Sequence, residues 1–243
     1  MYEEYWTTDI YSYQNESWIA AENDIYKFDG NSFTAYSANT TNFPNDIITS
    51  IDGNNSEIWF GFKASGIAKY NGSSFTFYNE STSSLIKNVN DISVDDNNNV
   101  WIGTSDNGLV KYDGINFVQI TDIIELGLDI QTVENYGNEI WVTHRPKSGS
   151  IGGISYFNGT EWIKFTSLIN RNYVSDFYID KNNKKYLSTP DGLYIFQNPN
   201  SIQLIDKSNS PLSVNLINAA VTNSKNEIWI VTDGGGLYKF KNN

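Results

Sequence analysis

One short pattern recurs six times along this chain, at intervals of about forty residues. Each occurrence begins with a large aromatic residue in an apolar stretch, passes through a polar turn, and continues into a second apolar stretch. The starting aromatics are Trp18, Trp59, Trp101, Trp141, Tyr186 and Trp229, separated by 41, 42, 40, 45 and 43 residues. A period of this length that contains only strand and turn signals is typical of the blades of a β-propeller.

The unit around Trp101 indicates how one blade is built. The β-branched run 89–94 predicts a first, innermost strand that is followed by a tight Asp/Asn turn. The run 100–104 is apolar on both faces, which favours a second strand in a sheet that is covered on both sides. Asp113-Gly114 predicts a hairpin between the third and fourth strands. Because Gly103 has no side chain, we expect a neighbouring blade to approach closely at that position.

The last unit ends at residues 239–243 without a fourth strand of its own. At the other end of the chain, Tyr2 and Tyr5 have the spacing of the aromatics that start a fourth strand elsewhere, as Phe75 and Tyr78 do. We therefore predict an all-β, six-bladed β-propeller of four-stranded antiparallel blades, with the ring closed by the N-terminal strand completing the last blade. There is no linker or break in composition, so residues 1–243 are predicted to form a single domain.

Composition argues against several classes of function. The chain has 28 acidic and 16 basic residues, a net charge of −12, so electrostatic repulsion disfavours nucleic acid as a partner. No apolar run is long enough to predict membrane insertion. The absence of cysteine and the single histidine, His144, exclude thiol catalysis and multi-histidine metal sites. Turn chemistry explains the Asp/Asn runs without calcium, so we expect no metal and no cofactor.

Residues 101–117, read W-I-G-T-S-D-N-G-L-V-K-Y-D-G-I-N-F, resemble the two-component regulator propeller repeat. That repeat is typical of sensor-type β-propellers in bacterial hybrid signalling proteins, and all six units can be laid on it. The resemblance implies a ligand-sensing propeller, often for carbohydrate, in the periplasm or the extracellular space. The residues alone leave a cytoplasmic location open, because Met1 stands directly before a strand-like segment without a signal peptide.

The loops that differ most between the repeats are the turns between second and third strands and the connections between blades. Both are expected on one face of the propeller, where variable loops on a rigid scaffold are the usual place for binding. The insertion 144–152 is the most individual of them and is basic in an acidic protein, although a solvated loop without a binding role would look the same. Ligand-binding candidates on this face are Lys63, Asp106, Asn107, His144, Arg145, Asn172, Tyr173, Asp191 and Asp233.

These candidates favour a non-enzymatic propeller that binds a small polar ligand, a saccharide, near its central channel. Lys63, Arg145 and their neighbours would supply charge-assisted hydrogen bonds, and Tyr173 an aromatic surface for stacking. No catalytic residue is predicted. Two alternatives stay open: a protein–protein interaction scaffold that uses the same face, and a polysaccharide lyase or hydrolase with His144 as its base beside Arg145.

Overall fold

The computed structural model describes residues 7–13, 15–41, 43–54, 56–122, 128–145, 153–165, 174–198 and 201–241. Within these ranges the chain is all-β, and its strands form six antiparallel sheets in chain order. Contacts divide the chain into two compact units, Met1–Val133 and Glu134–Asn243, and the boundary falls inside a strand of the fourth sheet. Each sheet consists of strands that are neighbours in the sequence, as in a propeller blade.

Unit 1 contains three four-stranded blades. The first consists of β1 (Thr7–Tyr13), β2 (Glu16–Ala21), β3 (Asp24–Phe28) and β4 (Phe33–Tyr36). The second consists of β5 (Ile48–Gly53), β6 (Ile58–Phe62), β7 (Gly66–Tyr70) and β8 (Phe75–Tyr78). The third consists of β9 (Val89–Val94), β10 (Val100–Thr104), β11 (Leu109–Tyr112) and β12 (Phe117–Gln119). Between blades lie a single-turn helix, α1 (Ala38–Thr41), and a 3-10 helix (Ser84–Ile86), neither of which was predicted.

The fourth blade starts with β13 (Ile130–Tyr136), which crosses the boundary, and continues with β14 (Glu139–His144), β15 (Gly153–Phe157) and β16 (Trp162–Lys164). The fifth consists of β17 (Asp176–Ile179), β18 (Lys185–Thr189), β19 (Gly192–Phe196) and β20 (Ile202–Ile205). The sixth has three strands among the described residues, β21 (Ile217–Thr222), β22 (Glu227–Thr232) and β23 (Gly236–Lys241).

The six-bladed, all-β prediction is confirmed, and so are the strands predicted at 89–94 and 100–104. The hairpins between third and fourth strands also form as expected, since Gly114 has the positive φ of +93° that the turn requires. The strand predicted to complete the sixth blade lies in residues 1–6, outside the described residues. The single-domain organisation also stays a prediction.

The anchor aromatics of the first five blades are buried in the core. Trp18 is 1% exposed, and its ring lies 5.0 Å from that of Tyr70 in the second blade. Between the third and fourth blades, a Cβ on Gly103 would lie 2.9 Å from Ile130 Cγ2 and 3.0 Å from Val133 Cγ2. The close approach that was expected at this glycine is therefore present, and a larger side chain would force the strands apart.

Candidate functional site

In the second blade, hydrogen bonds tie the turn between the second and third strands to the start of the first strand. Lys63 N donates to Ile47 O at 2.8 Å, and Ala64 N donates to Asp46 Oδ2 at 2.7 Å. These bonds fix the backbone of the turn, yet the Lys63 side chain is exposed. The turn therefore presents a cationic side chain on a fixed backbone. Binding an anion there would cost little backbone conformational entropy.

The third blade repeats this arrangement with different side chains. Ser105 N donates to Asn88 O at 2.9 Å, and the Asn88 amide donates to the carboxylate of Asp106. Asn107 Nδ2 donates to the backbone oxygens of Ser84 and Leu85, both at 3.2 Å. The structure thus brings Asp106 and Asn107 together, but most of the Asn107 amide is already used to hold the connection between blades.

Six candidates remain, all in the range of unit 2, and the structure describes four of them. His144 ends β14 and is only 5% exposed, whereas the Arg145 side chain that follows it is exposed. Asp191 is half-buried in the turn between β18 and β19, and Asp233 is exposed at the end of β22, where its N–H donates to Leu216 O at 3.0 Å. Asn172 and Tyr173 lie outside the described residues.

Sequence reasoning missed a set of polar side chains on the first strands of unit 1. The first strand of a blade is the edge of its sheet, so half of its N–H groups have no partner within the sheet. Asp9 Oδ2 accepts a hydrogen bond from Ile51 N at 2.6 Å, and Asp91 Oδ2 accepts one from Val133 N at 2.7 Å. In both pairs the residues are 42 positions apart, which is one repeat. Each carboxyl therefore accepts from a backbone N–H on the edge strand of the following blade.

Ser50 occupies the corresponding position between these two aspartates and links the second blade to the third. Its hydroxyl accepts from Ile92 N at 3.1 Å and donates to Asp91 Oδ1 at 2.7 Å. Asp52, two residues further along, accepts from Val94 N at 2.7 Å. We name these polar contacts between successive first strands the blade joints. The signal in the sequence was a polar residue directly before an isoleucine, repeated at the blade period, in Asp9-Ile10, Ser50-Ile51 and Asp91-Ile92.

Burial changes the acidity of the carboxyls in the blade joints. It raises the pKa of Asp52 from 3.8 to about 6 and the pKa of Asp91 from 3.8 to about 8, and it also raises the pKa of Asp9. Hydrogen bonds from Val94 N and Val133 N oppose the rise, while the charge of Asp9 adds to it at both sites. At neutral pH Asp91 therefore holds a proton, and its role is structural hydrogen bonding.

Two further properties bear on what the site can do. Within the described ranges, no group of three or more His, Cys, Asp or Glu side chains is arranged to hold a metal ion. Among the same residues, no helix has the length and apolar character needed to cross a bilayer. The chemistry that the described loops offer is hydrogen bonding and charge, from Lys63, Asp106, Arg145 and Asp233.

Comparison with known proteins confirms the resemblance on which the sequence interpretation rested. The profile of the family described as two component regulator propeller matches residues 84–106, which run from the 3-10 helix through β10 into the following turn. Among curated proteins, none matches the sequence.

Solved structures match over nearly the whole chain. The extracellular domain of a hybrid two component system from B. thetaiotaomicron has 21% identity and a TM-score of 0.74, covering 96% of this chain and 33% of that one. PorZ, a surface component of the type-IX secretion system of Porphyromonas gingivalis, has 16% identity and a TM-score of 0.75, covering 96% and 40%. Virginiamycin B lyase from Staphylococcus aureus has 12% identity and a TM-score of 0.72, covering 97% and 84%.

These likenesses show the propeller fold. The chain spans between a third and two fifths of the length of the first two of these structures. A sensor domain, a secretion component and a lyase share the fold, so the function of this chain has to be argued from its own side chains.

Proposed function

We propose that the chain is a sensor-like, non-enzymatic propeller that acts outside the cytoplasm and binds a small polar ligand, a saccharide, on the face formed by the turns between second and third strands. The observation that carries this proposal is the combination of a fixed backbone and an exposed charged side chain at Lys63 and Asp106. Loops of this kind are ordered before binding, so little of the binding free energy is lost to ordering them.

The ligand that suits this face carries a carboxylate or sulfate, as an acidic saccharide does. Lys63 in unit 1 and Arg145 in unit 2 are exposed cations in a chain of net charge −12, and either one would recognise an anionic group by charge-assisted hydrogen bonds. Carboxylates and amides would bind its hydroxyl groups, and Tyr173 would stack on a sugar ring. The proposed contact residues are Lys63, Asp106, Asn107, His144, Arg145, Asn172, Tyr173, Asp191 and Asp233.

Calorimetric titration with trigalacturonic acid, a uronic acid trisaccharide, tests the proposal. Arg145→Ala is expected to weaken binding about tenfold or more, because a charge-assisted hydrogen bond is lost, with no change in the unfolding midpoint. Lys225→Ala is the matched control, since it removes an exposed cation of the same unit in a turn between first and second strands. Equal affinities of Arg145→Ala and the wild type would refute a role for this loop in binding the acid.

The two alternative functions make different predictions for the same protein. A scaffold would capture a partner protein on this face without any affinity for oligosaccharides. A lyase or hydrolase would turn over a glycan and lose that activity in His144→Ala.

We further propose that residues 2–5 supply the fourth strand of the sixth blade and so close the ring. The outer edge of β23 has no neighbouring strand among the described residues. Beside β23 lies a pocket of about 440 Å³, lined by Ile205 and Phe240 among others, which suits an aromatic side chain.

Closure is tested by thermal unfolding of the double variant Tyr2→Ala/Tyr5→Ala. Removing two packed aromatic side chains is expected to cost at least 3 kcal/mol, by an estimate of about 3–5 kcal/mol for each one. Glu3→Ala/Glu4→Ala changes the same segment without removing the aromatics, and it serves as the control. If both double variants unfold at the temperature of the wild type, another segment or partner covers β23.

A further inference from the structure

A second pocket lies in unit 1 at the opposite end of the strands from Lys63 and Asp106. It has a volume of about 360 Å³ and is formed where β1 ends and where the second and third blades turn from first to second strand. Its lining includes Tyr11, Tyr13, Asn54, Ser56, Asp96 and Asn98. The five residues of β6 separate it from the turn at Lys63, a distance of roughly 16 Å along the strand.

The walls of this pocket are held in place by hydrogen bonds of their own. Asn54 Oδ1 accepts from Ser56 N at 2.9 Å and from Glu57 N at 3.0 Å, which fixes the turn of the second blade. Asn54 Nδ2 donates to Asn98 Oδ1 at 2.9 Å and so joins that turn to the turn of the third blade. The pocket is therefore formed before any ligand arrives, as binding sites for small molecules usually are.

Three polar groups at the pocket are left over from this bonding. Among the described residues, the Tyr11 hydroxyl, the Asp96 carboxylate and the Asn98 amide nitrogen have no hydrogen-bond partner in the protein. Burial, and then the nearby charge of Asp52, raises the pKa of Tyr11 to about 12, so its hydroxyl remains a donor at any physiological pH. The pocket thus offers two donors and one charged acceptor beside two aromatic side chains.

Tyr13 is one of two tyrosines that end the first strand of a blade. Tyr13 and Tyr136 precede connections of two residues, whereas Asn54, Asp95, Asp180 and Asn223 at the corresponding position of the other blades cap longer turns. The short connection of the first blade therefore places an aromatic ring at the pocket, where the other blades with longer turns have a capping Asp or Asn.

We propose that this pocket binds a neutral saccharide. Tyrosine rings suit the apolar face of a sugar, a carboxylate can accept from two neighbouring hydroxyls, and Tyr11 and Asn98 donate to ring or hydroxyl oxygens. The negative charges of Asp96 and Asp52 disfavour an anionic ligand, in contrast to the loops at Lys63 and Arg145. The proposal does not rest on the function proposed for those loops, because it uses other residues at the other end of the strands.

Titration of the whole chain with two neutral trisaccharides, cellotriose and mannotriose, tests the proposal by NMR or calorimetry. At least one should bind with a dissociation constant below about 10 mM. Tyr11→Phe, which removes only the hydroxyl, is expected to weaken that binding about three- to tenfold, and Asp96→Asn about tenfold or more. Glu80→Gln, an equal loss of charge at an exposed position of the same unit, should leave it unchanged.

Other outcomes overturn the proposal. Absence of binding by both trisaccharides refutes the neutral saccharide as ligand, as does binding that neither Tyr11→Phe nor Asp96→Asn affects. Binding of choline in their place, abolished in Asp96→Asn, would assign the pocket to an organic cation. Because Arg145→Ala should not change binding of the neutral trisaccharides, failure here is distinct from failure of the acidic-ligand proposal. Equal unfolding midpoints of all variants show that the fold is retained.

Discussion

Replacing Asp91 by asparagine should make the stability of this protein less sensitive to pH. Asp91 lies in a blade joint, where its two oxygens bond Ser50 Oγ and Val133 N, both at 2.7 Å. Burial raises the pKa of Asp91 to about 8, so at neutral pH the folded chain holds a proton there that the unfolded chain has released. Asparagine can accept from Val133 N through its oxygen and donate to Ser50 Oγ through its amide, as the protonated carboxyl does when the Ser50 hydroxyl turns away from Asp91, and it cannot titrate.

The size of the effect follows from the linkage between protonation and folding. A carboxyl with a raised pKa stabilises the fold fully below its unfolded pKa of 3.8, and this stabilisation is lost as the pH rises towards about 8. The loss is about 1.4 kcal/mol per pH unit for one full proton. Asp91 is partly exposed, so solvent screening reduces this figure, and we expect roughly 1–3 kcal/mol between pH 6 and pH 8. For a chain of this length that is a fall of several degrees in the unfolding midpoint.

The assay is calorimetric or fluorescence-detected unfolding of the wild type, Asp91→Asn and the control Glu80→Gln at pH 6, 7 and 8. The wild type and the control should lose stability over this window, and Asp91→Asn should lose clearly less. The interval starts at pH 6 because burial raises the pKa of Asp52 to about 6, so Asp52 contributes mainly below it. Parallel curves for the wild type and Asp91→Asn would refute the protonated state assigned to Asp91.

Two further predictions concern packing. Gly103→Ala should destabilise the fold by about 1–3 kcal/mol, because its Cβ would lie within 3.0 Å of Ile130 and Val133. An unchanged unfolding midpoint would contradict the close approach of the two blades. Lys185 is buried with its ammonium 4.7 Å from the Trp141 ring centre and 2.6 Å from Asn183 Oδ1, and burial lowers its pKa. Lys185→Met keeps the apolar stem, so its free energy of unfolding should lie within about 1 kcal/mol of the wild-type value, whereas Lys185→Ala should lose about 2–4 kcal/mol. Equal losses in the two variants would show that the charge of Lys185 matters and its packing does not.

The strands could be predicted from the sequence because their signals are local and repeated. The apolar run around Trp101 and the Asp113-Gly114 dipeptide determine a strand and a hairpin without reference to the rest of the chain. The blade joints could not be predicted in the same way. A polar residue such as Asp9 or Asp91 in a strand gives no indication of its partner, which lies one repeat further along the chain.

The candidate binding residues were harder still to predict, because a sequence gives the position of a side chain but not its exposure. Arg145 is exposed as expected, while its neighbour His144 is buried at the end of β14. Asn107 was chosen as a ligand contact, yet its amide holds backbone oxygens of the preceding connection. The pocket at Tyr11 and Tyr13 was not predicted, since its lining comes from three blades that only folding brings together.

The blade joints carry an implication for how such a chain can grow. Each of the first three repeats provides an acceptor for the repeat that follows it, and the second, third and fourth repeats provide the backbone donors. A duplicated segment of one repeat would therefore contain both the side-chain acceptor and the backbone donor that its two blade joints need. Gene duplication could then lengthen or shorten the series without inventing a new contact, and substitutions such as serine for aspartate would only adjust the strength of one link.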